Sequence, residues 1–169
     1  MSGAVNELEL PEIITLNEYG GDFTSYLEAV YAIFKRDFID SSPRYEGKRL
    51  ALKKHPYIEG KEYTFYHFTH DGDIETDRLP NLRRLERMPF PRPLIDNSTH
   101  PYLKVWRNKR GNKERILIYH EAEAYLVVLE DRGDYILPWT AYLVEYSNRQ
   151  KKLIDEYEAY IKAKTAQGN

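Results

Sequence analysis

Apolar positions in the first third of the chain recur at helical spacing. Phe23, Tyr26, Leu27, Val30, Phe34 and Phe38 fall on one stripe, which predicts a helix over Asp22 to Asp40. Ser25 with Glu28 offers a capping-box pair near its start, and Ser41-Ser42-Pro43 stops it. Residues 1–20 read as an N-terminal tail or edge segment, closed by Gly20-Gly21, and residues 21–169 as a single domain. The period then changes. Arg49 to Lys53 alternates as a short strand, and Glu62 to Phe68 as a longer one, with Tyr63, Phe65 and His67 on one face. Pro80 to Arg87 suits two helical turns, with Pro80 in the first turn and Leu79, Leu82 and Leu85 facing the core. Met88 to Pro101 carries four prolines and is expected to be extended or irregular.

The second half reads as a meander. Tyr102 to Arg107, Glu114 to His120, Ala124 to Glu130 and Tyr135 to Glu145 are four strand candidates. Asp131-Arg132-Gly133-Asp134 is a hairpin signal between the last two, with glycine where a positive φ is needed. In the last strand Ile136, Pro138, Thr140, Tyr142 and Val144 share one side. Tyr135, Leu137, Trp139 and Leu143 share the more apolar other side, which is expected to face the core. Pro138 signals an edge position or a bulge that can exchange the two faces. Ser147 with Gln150 caps a final helix, about Asn148 to Lys164, with Leu153, Ile154, Tyr157 and Ile161 inward. The predicted class is α+β: an N-terminal helix, a curved, mostly antiparallel sheet (the meander plus two earlier strands), and a C-terminal helix.

Composition narrows the setting. The chain has 169 residues, 41% hydrophobic and 31% charged, enough to bury one core. It has no cysteine, which excludes disulfides, thiolate zinc sites and a cysteine nucleophile, and agrees with a reducing, cytoplasmic compartment. Met1 to Pro11 has neither a positive n-region nor a long apolar run, so no signal peptide or membrane partner is expected. The net charge of −2 hides an asymmetry. Arg78 to Arg115 holds eleven Lys or Arg against three acids, and Met1 to Glu28 holds six acids with no Lys or Arg. A basic middle in an acidic chain suits an anionic ligand, and equally a solvated face neutralised by acidic neighbours.

Five histidines are acid–base candidates. His55 and His100 each precede a proline in a loop, and His120 ends a strand where it can cap a turn. His67, alternating with aromatics, is either a semi-buried sheet histidine or a rigidly held general acid or base. His67, His70, Asp71 and Asp73 have a spacing that a metal could use, but aspartates beside glycine are ordinary turn residues, and no metal or other cofactor is expected. Arg84 and Arg87, three apart on a predicted helix, and Arg92 in the proline-stiffened segment are phosphate-binding candidates. Trp106, Tyr119, Tyr125 and Trp139 can offer stacking surfaces for bases or pack in the core. Glycine-rich phosphate loops, nucleophile elbows and dinucleotide fingerprints are absent, against the usual NTPases, hydrolases and dehydrogenases.

Several segments in order resemble a group of phage- and prophage-borne proteins of the barnase–EndoU–colicin–RelE nuclease fold. They are Phe65-Tyr66-His67-Phe68, Arg84-Leu85-Glu86-Arg87-Met88 and Arg92-Pro93-Leu94-Ile95, then Trp106, Tyr125-Leu126-Val127-Val128-Leu129 with Arg132, Trp139-Thr140-Ala141-Tyr142, Lys152-Leu153 and Glu156-Tyr157-Glu158. The resemblance spans about Phe23 to Tyr160. It implies an α+β fold and metal-independent cleavage of RNA, tRNA or mRNA, by a toxin or phage-defence effector. The matching site positions are His67, Arg84 or Arg87, and Thr140.

The leading expectation is therefore an endoribonuclease in which the substrate's 2′-OH attacks the adjacent phosphate to give a 2′,3′-cyclic phosphate. His67 would move the proton, Arg87 and Arg84 would offset charge on the phosphorane, and Thr140 would hydrogen-bond a phosphate oxygen. Arg92, Trp106, Arg132 and Tyr142 complete the expected substrate contacts. The alternatives are a non-catalytic phage regulatory protein that binds a host protein or inhibitor on the same fold, and a metal-dependent hydrolase using His67, His70 and Asp73. His67 and Thr140 are expected to line one cleft, with Arg84 or Arg87 at its rim.

Overall fold

The computed structural model describes residues 6–72 and 79–167. Its class is α+β, built on one four-stranded antiparallel sheet. Helix α1, Phe23–Phe38, follows the predicted stripe and buries Tyr26, Val30, Phe34 and Phe38. Its N-cap is Asp22, whose side chain accepts from the Thr24 amide at 3.2 Å and from the Ser25 hydroxyl at 2.8 Å. The expected Ser25–Glu28 pair does not cap it, and Glu28 instead meets Lys61 at 2.7 Å. Residues 6–20 lie along this core. The Ile14 amide donates to the Glu86 carbonyl, the Tyr26 hydroxyl donates to the Ile14 carbonyl, and Leu16–Tyr19 forms one 3-10 turn.

Strands β1, Arg44–Tyr45, and β2, Lys48–Arg49, form a two-residue ladder, but of the short strand expected over Arg49 to Lys53 only Arg49 lies in it; Leu50 makes a single bridge to Ile136, and residues 51–53 are not in a strand. The second expected strand, Glu62 to Phe68, is instead helix α2, Tyr63–Thr69. All seven of its residues are buried, so no polar face reveals a 3.6-residue period, and a run of aromatics then mimics a strand. The preceding chain satisfies its first amides: Tyr63 donates to the Lys54 carbonyl and Thr64 to that of Lys53.

Strands β3, His70–Asp71, and β4, Leu79–Pro80, form a second small ladder. Helix α3 is Leu82–Glu86, N-capped by the Asn81 side chain, which accepts from the Arg84 amide at 3.1 Å. Pro80 therefore sits in β4 rather than in a first helical turn. Leu85 is fully buried, but Leu79 (70% exposed) and Leu82 face outward, against expectation. The proline-rich stretch is not wholly extended. Pro91–Asp96 is helix α4, tolerated because Pro91 and Pro93 fall in a first turn whose amides lack intrahelical partners anyway.

The meander comprises β5 (Lys104–Arg110), β6 (Lys113–His120), β7 (Tyr125–Asp131) and β8 (Ile136–Leu143), paired in that order. Helix α5, Ser147–Ala166, closes the chain. Tyr146 is its N-cap without a side-chain bond, so the expected Ser147–Gln150 box is not formed, and Gln150 donates to the Val144 carbonyl instead. One face of the sheet, with Ile116, Ile118, Val127, Leu129 and Ala141, packs on α1 to α4. The other carries Trp106, Leu117, Tyr119, Leu126 and Val128 against Leu153, Ile154, Tyr157 and Tyr160 of α5. Ile161 faces outward. No helix among the described residues is long and apolar enough to cross a membrane.

Candidate functional site

A bulge in β8 sets the site. Val128 pairs with Thr140, but Leu129 pairs with Pro138, so Trp139 is one residue in excess. Before the bulge Ile136 points into the main core; after it Thr140 and Tyr142 point to the α5 side, and Ala141 to the core. The expected single face of Ile136, Pro138, Thr140 and Tyr142 is therefore split in two. The bulge also brings neighbours Trp139 and Thr140 onto one pocket wall, which regular alternation forbids.

Two pockets meet beside it. The first, about 220 Å³, is lined by Asp71, Asn81, Arg83, Arg84, Glu145 and Tyr146 among others. The second, about 300 Å³, lies on the sheet face and is lined by Asn108, Arg110, Arg115, Trp139 and Thr140 among others. Tyr142 and Arg149 line both, so the pockets share a wall and form one groove. Arg149 donates to the Tyr142 hydroxyl at 3.3 Å, and the Arg84 guanidinium lies 5.1 Å from the centre of the Tyr142 ring. Tyr146, 75% exposed, stands at the entrance to α5.

Arg84 is held from several sides. Its Nη1 donates to the Thr140 hydroxyl at 3.0 Å and to the His67 carbonyl at 2.9 Å. The Thr140 hydroxyl donates to the same carbonyl at 3.3 Å, and Asp71 stands 4.0 Å from Arg84 Nη2. Arg84, Thr140 and His67 thus converge, but His67 contributes its main chain. Its imidazole, 4% exposed, is sandwiched near Tyr63 (4.5 Å between ring centres) and Trp139 (4.9 Å) and lines neither pocket. The expectation of His67 on a strand, reaching into the cleft with its ring, is corrected on both counts.

The remaining expected contacts divide. Tyr142 lines the groove. Arg87 does not: its Nη1 donates to Glu86 at 3.1 Å and to the Arg83 carbonyl at 3.3 Å, behind the groove. Arg92 ties α4 to the end of α1 through the Asp37 carbonyl and Ser41, and pairs with Asp96 within α4. Arg132 clamps Glu130 at 2.7 Å beside the β7–β8 turn. Trp106, 1% exposed, lies under α5 with its indole N–H on Glu156, so it offers no face for stacking. Tyr119 and Tyr125 are likewise buried, and burial raises both phenols above their usual range, at Tyr125 against the opposing pull of Arg84 and Arg87. Trp139 alone of the four proposed stacking aromatics reaches the groove. His120 caps a turn, accepting from the Glu123 amide.

Sequence reasoning missed Arg149 and Tyr146, which open α5 outside the basic middle and carry no local signal. Arg110 and Arg115 belong to that middle but had no individual mark. Among the described residues no group of three or more His, Asp or Glu side chains is placed to hold a metal ion; Asp73 of the expected alternative lies outside the described residues. Comparison of the chain with protein-family models, with curated proteins and with solved structures finds no match.

Proposed function

We propose that the protein binds RNA in this groove and is an endoribonuclease of the metal-independent type. The observation that carries the reading is the meeting of Arg84, Thr140, Tyr142 and Arg149, with Arg110 and Arg115 along the same surface and aromatic rings between them. Guanidinium groups interleaved with aromatic faces suit phosphates and unstacked bases. A phosphodiester seated at the shared wall would have guanidinium donors on two sides, the arrangement that offsets charge on a pentacovalent phosphorane. The attacking group would be the substrate's own 2′-OH: as its oxygen bonds to phosphorus it gives up its proton, the P–O5′ bond breaks, and the departing 5′-oxygen takes up a proton. Of the proton-exchanging side chains that line the groove, Asp71, Tyr142, Glu145 and Tyr146, only Tyr142 lines both pockets. It takes the acid–base place that His67 was expected to fill.

The burial of the His67 ring favours a second reading, in which the groove binds RNA without cutting it. Incubation of the purified protein with total tRNA and with mRNA, in EDTA and with or without ribosomes, separates the two. Cleavage that leaves 2′,3′-cyclic phosphate ends and is lost in Tyr142→Phe supports the enzyme. Intact RNA that is nonetheless retained by the protein supports the binding reading, and absence of both overturns the proposal. Growth arrest on expression in bacteria, relieved by the same substitution, would support the toxin or phage-defence role.

A further inference from the structure

We infer that the sheet-side pocket is a second phosphate subsite, so that the ligand is a single RNA strand held through at least two consecutive phosphates. This rests on the RNA reading above.

The pocket wall contains Arg110, Arg115 and Arg149 and no carboxylate. Elsewhere in this chain of net charge −2 the arginines are largely spent on acids: Arg36 on Asp37, Arg83 on Glu86, Arg92 on Asp96 and Arg107 on Asp131. The Arg110 side chain has no ion pair or hydrogen bond to any described residue, and the Arg149 guanidinium bonds only the Tyr142 hydroxyl and, among the described residues, takes no acid. Arg110 and Arg149 add two uncompensated charges beside Arg115, whose own charge Glu130 offsets, and an anion placed among them removes the repulsion.

One of the three is built into position. Arg115 Nη2 donates to Glu130 at 3.2 Å, and Glu130, 2% exposed, is fixed in turn by Arg132. The Arg115 guanidinium rests 5.6 Å from the centre of the Trp139 ring, and its Nε is buried without a hydrogen-bond partner among the described residues. A guanidinium held this way is ordered before any ligand arrives, so little side-chain freedom is lost on binding. Tyr142 and Arg149 join this pocket to the one beside Arg84, so a phosphate in each belongs to one strand crossing the shared wall. A duplex keeps its bases stacked inside and offers only its outer backbone, whereas a single strand can present bases to Trp139 and Tyr142.

The test is fluorescence polarisation with a labelled oligouridylate of about eight nucleotides, titrated across a range of salt. Competitors are UMP, an RNA hairpin duplex and polyglutamate. Arg110→Ala and Arg110→Glu change an exposed, unpaired residue, and circular dichroism checks that both remain folded. Wild-type protein should bind the oligomer at least about ten-fold more tightly than the duplex or polyglutamate. Arg110→Ala should reduce the slope of log affinity against log salt by about 0.7, the share of one phosphate contact on a single strand. Arg110→Glu should weaken the oligomer about ten-fold and leave competition by UMP unchanged. An oligomer that binds with unaltered slope and affinity in both variants overturns the second subsite and leaves the RNA reading standing. Equal competition by the duplex or polyglutamate overturns the single-strand inference, and a wild-type protein that binds no RNA overturns both.

Discussion

The Arg84 guanidinium donates to the Thr140 hydroxyl at 3.0 Å, and both bond the main-chain carbonyl of His67. One guanidinium thereby ties α3 to the last turn of α2 and to β8, just after the bulge. The carbonyl belongs to a helix end, where main-chain acceptors lack intrahelical donors. The same bonds aim Arg84 at the ring of Tyr142, so fold and groove depend on one side chain.

Thr140→Val keeps the shape of the side chain but removes one acceptor and one donor. It should cost about 1 kcal/mol, the net worth of a neutral hydrogen bond. Arg84→Met removes the charge-assisted bonds and leaves the His67 carbonyl poorer, and should cost about 2 to 3 kcal/mol. Urea unfolding with unchanged m-values would measure both. Equal costs, or a larger cost for Thr140→Val, would show that the guanidinium does not carry the junction in solution.

His67 and Trp106 were both expected in the site, and both are buried outside it. His67→Phe and Trp106→Phe should therefore lower stability while leaving RNA affinity within about two-fold, because neither ring lines the groove. Arg149→Ala should do the reverse, with affinity lost and stability nearly unchanged, since Arg149 is exposed and, among the described residues, its guanidinium bonds only Tyr142. Thermal melts beside polarisation titrations read both quantities. A loss of affinity in His67→Phe at full stability would return the imidazole to the site.

The meander was legible because its strands are short apolar, β-branched and aromatic runs bounded by turn residues, with glycine in two of the three turns; Gly133, at φ +87°, fills the position the hairpin needed. The stripe of α1 was legible because one of its faces is wet. Helix α2 was not, because burial on every side erases the period that distinguishes helix from strand. That single misreading carried His67 onto a strand. The register of β8 was half legible: Pro138 signalled a bulge, but only pairing with β7 shows that Trp139 is the extra residue and that Thr140 turns outward. Arg84, Thr140 and Tyr142 are legible as site residues in the sequence. Arg149 is not, because a lone arginine at a helix start becomes part of a site only through where the helix docks.

His120 anchors the segment before α1. Its Nδ1 accepts from the Glu123 amide at 3.2 Å, which leaves Nε2 to donate to the Leu8 carbonyl at 2.6 Å. The ring is 1% exposed, so both bonds are shielded from water. His120→Ala should leave the Leu8 carbonyl unpaired and cost about 2 kcal/mol. It should also speed proteolysis within residues 6–13 before the domain as a whole unfolds. Cleavage that begins elsewhere, or only on global unfolding, would mean that the apolar contacts of Leu8 and Leu10 hold the segment without the histidine.

Asp131 predicts how stability falls in acid. Burial alone would push its carboxyl up, but the Gly133 amide, Arg107 and Lys48 all bond the carboxylate and together hold it down at about 2. Lys48 lies on β2 and Arg107 on β5, so the carboxylate fastens the first small ladder to the meander. A carboxyl held below its unfolded value of 3.8 stabilises the fold above that pH and loses its contribution as pH drops toward 2. The difference is worth about 2 kcal/mol, and the side chain is buried enough for most of that to survive screening. Asp131→Asn should be less stable than the parent by about 2 kcal/mol at pH 7, with the gap closing between about pH 4 and pH 2. Urea midpoints measured across that range give the test. A gap that persists unchanged to pH 2 would assign the loss to packing at the β7–β8 turn rather than to the charge on Asp131.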